Sequence, residues 1–133
     1  KIAEYGIILN DKKEFLVLQF SKETNAGEKW IFPGGRLDTD EKPGEGLARE
    51  ILEETGLEVS VENVCATAMW GEGEDHRYAT IYLCFLRHEK DVKLSHEHQN
   101  YRWVSLKEID TVEFHDESLK EATKQVKSII SND

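Results

Sequence analysis

The order of hydrophobic and polar positions predicts short strands around one well-marked helix. Residues 4–9 read as a strand with Ile7, Ile8 and Leu9 apolar, and 10–13 as a turn. Residues 14–20 read as a second strand, with Phe15, Val17 and Gln19 on one face and Leu16, Leu18 and Phe20 on the other. The two make a hairpin or lie as neighbours. A polar loop over 21–29 leads to a short strand at 30–32, which ends at Pro33, Gly34 and Gly35. Two glycines after a proline mark backbone that side chains must not crowd. A charged loop follows over 36–42, and Pro43 falls near the first turn of the next helix.

That helix is expected over 45–55. Leu47, Ala48, Ile51, Leu52 and Thr55 recur at the three-and-four spacing of a buried face, and Gly56 stands where a left-handed cap ends a helix. Residues 57–70 are β-rich, 71–76 form an acidic loop, and 78–86 read as a strong strand, with Ile81, Leu83 and Phe85 on one face and Tyr82 and Cys84 on the other. A polar connection over 87–99 leads to a last strand at 101–104. Ser105 to Glu108 reads as a capping box, and so does Ser118 to Glu121. The second opens a C-terminal helix whose Leu119, Ala122, Val126, Ile129 and Ile130 form a core-facing stripe. Strands and helices in this order predict an α/β fold, with a mixed sheet between helices in an α/β/α sandwich.

Composition narrows the function classes. The 133 residues suit one domain spanning 1–133, long enough to bury a real core. A formal net charge of -10 argues against a general nucleic-acid binder, which needs a basic surface. No apolar run approaches a membrane span. Cys65 and Cys84 sit in apolar strand-like runs without a C-x-x-C, so they are expected to be reduced core residues in a cytoplasmic protein.

The informative chemistry lies in residues 35–57. Glu50, Glu53 and Glu54 stand at i, i+3 and i+4 and share the helical face opposite the apolar stripe, one turn apart. Like charges at this spacing repel, and a divalent cation relieves the repulsion. Mg²⁺ or Mn²⁺ takes carboxylate, carbonyl and water oxygens, and Mg²⁺ is usually held by one or two carboxylates plus substrate phosphates. Chemistry at a phosphoanhydride follows from that. Arg49, four residues before Glu53, is placed to lean on the cluster.

An arbitrary E-x-x-E-E is more often a solvated acidic face. Here seven residues are filled together: Gly35, Glu41, Arg49, Glu50, Glu53, Glu54 and Gly56, with aliphatic Ile51 and Leu57. At average usage such a match arises by chance in a chain this size about once in a million. It resembles the signature of the Nudix hydrolases, as does the lead-in from Trp30 to Gly35. The resemblance implies the same sandwich fold. It also implies Glu50, Glu53 and Glu54 as the principal ligands of Mg²⁺ or Mn²⁺, with the Gly34 carbonyl as a further ligand. Arg49 would orient the glutamates, and Glu41 would support the site through a water or a metal.

Residues 95–104 form the second informative stretch. A water attacking phosphorus must lose a proton. The family often supplies a further glutamate before its last strand, and Glu97 is the matching candidate, with Glu72 and Glu74 as competitors. His96 and His98 are placed to reach phosphate oxygens, and Trp103 reads as core. The stretch is similar to the asymmetrical diadenosine tetraphosphate hydrolases of the family, in which a tyrosine stacks on the base; Tyr101 matches it. Pro33-Gly34-Gly35-Arg36 departs from their Pro-Lys-Gly-His and is closer to the nucleoside triphosphate and sugar-nucleotide members. Arg36, Arg77, Lys29 and Arg102 are the candidate phosphate-facing cations, and Trp70, Tyr78 and Tyr82 read first as core residues.

The expected activity is therefore divalent-metal-dependent hydrolysis of a nucleoside diphosphate linked to another moiety. The expected substrate is a small nucleotide, either an ordinary or oxidised nucleoside triphosphate or a dinucleoside polyphosphate. The alternative is a non-catalytic nucleotide sensor. Family members of that kind typically lose glutamates from the signature, and this chain keeps them all. The resemblance also leaves room for a homodimer, although no sequence patch identifies its interface.

Overall fold

A computed structural model describes residues 2–24, 27–38 and 40–128. Among them runs a seven-stranded mixed sheet. Its strands are β1 (Ile2–Leu9), β2 (Phe15–Phe20), β3 (Trp30–Ile31), β4 (Gly34–Arg36), β5 (Val59–Trp70), β6 (Arg77–Leu86) and β7 (His98–Val104), with helices α1 (Glu45–Thr55) and α2 (Glu117–Gln125). The main path is β3-β2-β1-β6-β5, with β4 on β1 and β7 on β2. The β1–β6 pair is parallel and the other pairs are antiparallel.

The central strands are buried on both faces, which is why they read as continuous apolar runs. Ile7, Phe15, Val17, Phe32 and Ile81 pack on one side with Leu119, Ala122 and Val126 of the α2 region. Ile8, Leu16, Leu18 and Cys84 pack on the other with Leu47, Ile51 and Leu57 of the α1 region. A helix therefore covers each face of the sheet, and the expected α/β/α arrangement holds. Ile129 and Ile130, assigned to the C-terminal stripe, lie outside the described residues.

Four local expectations are corrected. Phe20 packs with the α2-side core rather than with Leu16 and Leu18, because the pairing with β7 shifts register between Gln19 and Phe20. Such a bulge swaps the face of every residue beyond it. Gly34 to Arg36, expected to be loop, pairs with Tyr5, Glu4 and Ala3 of β1. The cap of α2 is Asp116, whose carboxylate accepts from the Ser118 N–H at 3.0 Å; no capping box starts at Ser118. Tyr78, read as core, is 56% exposed. The Ser105–Glu108 box does form, over a 3-10 turn.

Glu4 fixes how α1 meets the sheet. It is buried in β1, and its carboxylate accepts from the backbone N–H of Gly44, the residue that starts α1, at 3.2 Å. A carboxylate at a helix N-terminus is stabilised by the helix dipole. At the far end Gly56 adopts φ 75°, and its N–H donates to the Leu52 carbonyl at 2.9 Å, as a left-handed cap requires.

Candidate active site

The face of α1 that meets the sheet differs in one respect from the expected apolar stripe. Leu52, assigned to that stripe, is 49% exposed, whereas Glu54, assigned to the opposite face, is only 6% exposed. Helix geometry explains the exchange. At about 100° per residue, Glu54 lies about 20° from Leu47 around the axis, while Leu52 lies about 140° away. The three carboxylates therefore fan from the buried edge at Glu54, through half-buried Glu50, to exposed Glu53.

Two backbone contacts build the pocket around Glu54. The Gly34 N–H donates to Glu54 Oε1 at 2.9 Å. Gly34 has φ 146°, and a Cβ there would lie 2.2 Å from the Glu4 carbonyl oxygen, so only glycine brings this peptide so close. Gly35 lies against Glu50: a Cβ on it would stand 3.4 Å from Glu50 Oε2.

The segment before β7 is clipped to the end of α1. The Lys93 N–H donates to the Thr55 carbonyl at 2.9 Å and the Ser95 N–H to the Glu54 carbonyl at 3.1 Å. The Glu97 carbonyl accepts from the Ser21 N–H at 3.2 Å. These bonds deliver Glu97 and His98 to the Glu54 carboxylate. One ligand atom from each of Glu54, Glu97 and His98 lies within 4.8 Å of the others.

Arg49 organises the outer half of the fan. Its guanidinium donates to Glu41 at 2.6 and 2.7 Å, to both Glu53 oxygens at 3.0 Å, to Glu50 at 3.3 Å and to Asp38 at 3.4 Å. The bond from Arg49 holds the Glu41 carboxyl below its usual range. Toward the buried edge the balance reverses. Burial raises Glu50, and burial pushes Glu54 up to about 8, opposed by the Gly34 N–H and assisted by the charges of Glu50, Glu97 and Glu53.

A cavity of about 190 Å³ opens onto these groups, with Gly34, Gly35, Glu54, Glu97, His98 and Arg77 in its wall. Its remaining wall is aromatic apart from Ile31. Tyr5 stacks near Trp70, Trp70 meets His115 edge-on, and Phe20 lies between His115 and His98, with ring centroids 5.4–5.7 Å apart. Burial raises the Tyr5 phenol, against a hydrogen bond from Arg77. Burial lowers both His98 and His115, and Nδ1 of each is buried without a hydrogen-bond partner among the described residues. A larger apolar hollow of about 630 Å³, walled by residues such as Ile2, Met69 and Tyr78, lies apart from the acidic fan.

Of the residues singled out from sequence, Gly34, Gly35, Glu54, Trp70, Arg77, Glu97 and His98 share this cavity, with Glu50 against Gly35 and with Glu41 and Glu53 tied in through Arg49. Arg36, Glu72, Glu74 and His96 are exposed. Lys29 borders a different hollow, and Arg102 lies over the Trp30 ring at 5.7 Å. Tyr101 is exposed beside Trp103, Lys90 and Asp91, outside the cavity wall. Trp103 is half-buried against the α1-side core. Tyr5, Phe20 and His115 were not singled out as site residues; the single aromatic residue of β1 was the available signal for Tyr5. Cys65 and Cys84 are free thiols, raised by burial to about 11 and about 12. No helix among the described residues is long and apolar enough to cross a membrane.

Comparison with known proteins agrees with this geometry. The NUDIX domain model matches residues 2–126. The chain is 32% identical over 104 residues to the asymmetrical bis(5'-nucleosyl)-tetraphosphatase of Caenorhabditis elegans, covering 75% of this chain and 73% of that protein. It superposes on the crystal structure of a MutT protein from Methanosarcina mazei with a TM-score of 0.85 at 32% identity, over 96% of this chain and 93% of the other. The Ap4A hydrolase of C. elegans shares the fold, with a TM-score of 0.84 at 22% identity over 99% and 98% of the two chains.

Proposed function

The chain belongs to the NUDIX domain family, and we propose that its acidic fan is the catalytic centre of a nucleotide hydrolase that works with Mg²⁺ or Mn²⁺. The protein is an enzyme that hydrolyses a phosphoanhydride bond in a nucleoside diphosphate linked to another moiety. Hydrolases of this family need divalent metals, and the residues present fit one. The observation that carries the reading is the convergence of Glu54, Glu97 and His98 on a point beside Gly34, with a buried His98 nitrogen that has no hydrogen-bond partner among the described residues.

Glu50, Glu53 and Glu54 would hold the cation, with the Gly34 carbonyl beside them and Glu41 in support through Arg49. When bound, the cation polarises the phosphoanhydride oxygens and offsets charge developing on them. The chain's own residues do the rest. Arg49 keeps Glu53 and Glu41 in place. Arg77, in the cavity wall, meets phosphate oxygens. Glu97 accepts a proton from the attacking water as its oxygen bonds to phosphorus. The bridging P–O bond then breaks, and its electron pair leaves with the departing phosphate.

The substrate is a dinucleoside polyphosphate or a nucleoside triphosphate. The C. elegans relative favours the first. The Pro33-Gly34-Gly35-Arg36 lead-in favours the second. Tyr101, outside the cavity wall, would stack on a base only at the far end of a long ligand such as a dinucleotide. Product chromatography with diadenosine tetraphosphate, nucleoside triphosphates and ADP-ribose tests the reading. ATP plus AMP identifies the first class, and a monophosphate plus pyrophosphate identifies the second. No product from any of them contradicts the reading.

A further inference from the structure

We propose that His98 is a nitrogen ligand of the divalent cation, so that this site takes Mn²⁺ in preference to Mg²⁺. The inference rests on the reading of the site as metal-dependent. It concerns a donor that the carboxylate fan alone does not supply.

His98 is the first residue of β7 and is 7% exposed. A neutral buried imidazole normally satisfies both of its nitrogens, one as donor and one as acceptor. Here Nδ1 has no hydrogen-bond partner among the described residues, although the ring lines the cavity beside two carboxylates. Packing on Phe20, at 5.5 Å between centroids, accounts for the ring's apolar surface but leaves the polar atom orphaned.

The separations suit coordination. Ligand atoms about 2.0–2.2 Å from one ion lie at most about 4.4 Å apart. The atoms of Glu54, Glu97 and His98 lie within 4.8 Å of one another, so a small side-chain rotation closes them on a single ion. The backbone favours that closure, because the Ser95 N–H bond to the Glu54 carbonyl fixes the approach of β7 to α1.

The donor set then determines the metal. Carboxylates alone suit Mg²⁺ and Mn²⁺ alike, whereas imidazole suits transition metals, and Mg²⁺ holds its water tightly and takes oxygen donors. One imidazole among carboxylates therefore moves the preference toward Mn²⁺.

The test is pulsed electron paramagnetic resonance of the Mn²⁺-loaded full chain, read for ¹⁴N modulation from a directly bound imidazole. The expected result is clear ¹⁴N modulation, replaced by ¹⁵N frequencies when the protein is labelled with ¹⁵N-histidine. The signal should persist in His96→Gln and His115→Gln and vanish in His98→Gln. Loss of a ligand's supporting contact alone costs roughly tenfold or more in metal affinity. Mn²⁺ binding by His98→Gln should therefore weaken at least tenfold, and Mg²⁺ binding less. The labelled wild-type protein and the two control variants keep the test valid even if His98→Gln does not fold. Bound Mn²⁺ without nitrogen modulation, or modulation lost with His96 or His115 instead, overturns the assignment and leaves the carboxylate site standing. Failure to bind Mn²⁺ at all overturns both.

Discussion

The Gly34 N–H donates to Glu54 Oε1 at 2.9 Å, tying the start of β4 to the last carboxylate on α1, 20 residues away in the chain. The bond needs a backbone that only glycine adopts there, because a Cβ would meet the Glu4 carbonyl at 2.2 Å. Gly34→Ala should therefore destabilise the fold and disturb the site together. A strained backbone residue costs about 1–3 kcal/mol. Chemical denaturation and Mn²⁺ titration of the same sample check this; normal stability with normal Mn²⁺ affinity would contradict it.

Glu53 and Glu54 occupy opposite ends of the fan, one exposed and bracketed by Arg49, the other buried on Gly34. Glutamine keeps the size of either side chain and removes its charge. Glu53→Gln and Glu54→Gln should each fold normally and lose at least roughly a hundredfold in turnover, the scale of one preorganised electrostatic group. Steady-state kinetics beside circular dichroism tests this. Near-normal turnover in both variants would refute their assignment.

Arg49 bonds to four carboxylates at once through a planar fork. Lysine preserves the charge but lacks the fork. Arg49→Lys should leave the melting temperature in excess Mn²⁺ little changed and lower turnover roughly tenfold or more, as loss of a ligand-orienting partner does. Unchanged turnover would mean that the bracket is only a surface ion-pair network.

Without metal, burial raises Glu54 to about 8 from an ordinary 4.5. The folded protein therefore holds a proton that the unfolded chain has released over that interval. Stability of the metal-free protein should fall as pH rises from about 4.5 to about 8 and level off beyond. His98 and His115, lowered by burial, act in the opposite sense, so stability is also lost as pH falls below the ordinary 6.5. Melting in EDTA separates the terms: Glu54→Gln should gain on the wild type progressively between pH 5 and 8. A difference independent of pH would contradict the burial argument.

The sequence disclosed the frame of the site better than its depth. The helix over 45–55, the Gly56 cap and the Arg49–Glu53 contact all follow from spacing within one element, and all are present. The burial of Glu54 does not follow from the apolar stripe, because a glutamate is not counted in it; what buries Glu54 is its place beside Leu47 around the helix. His98, Tyr5 and His115 come to the cavity through β7, β1 and the turn before α2, which sequence spacing does not relate. The Phe20 face was misread because a bulge leaves no mark in the alternation. The pairing of β4 with β1 was missed because glycine carries no strand preference.

Hydrolysis in H₂¹⁸O tests the central claim most directly. With Mn²⁺ or Mg²⁺ and a substrate drawn from the two proposed classes, mass spectrometry of the products should show ¹⁸O on one product phosphate. Incorporation should stop with EDTA and drop at least roughly a hundredfold in Glu54→Gln. Products that form without ¹⁸O on phosphorus, or incorporation that persists undiminished in EDTA and in Glu54→Gln, would contradict a water attack on phosphorus at this acidic centre.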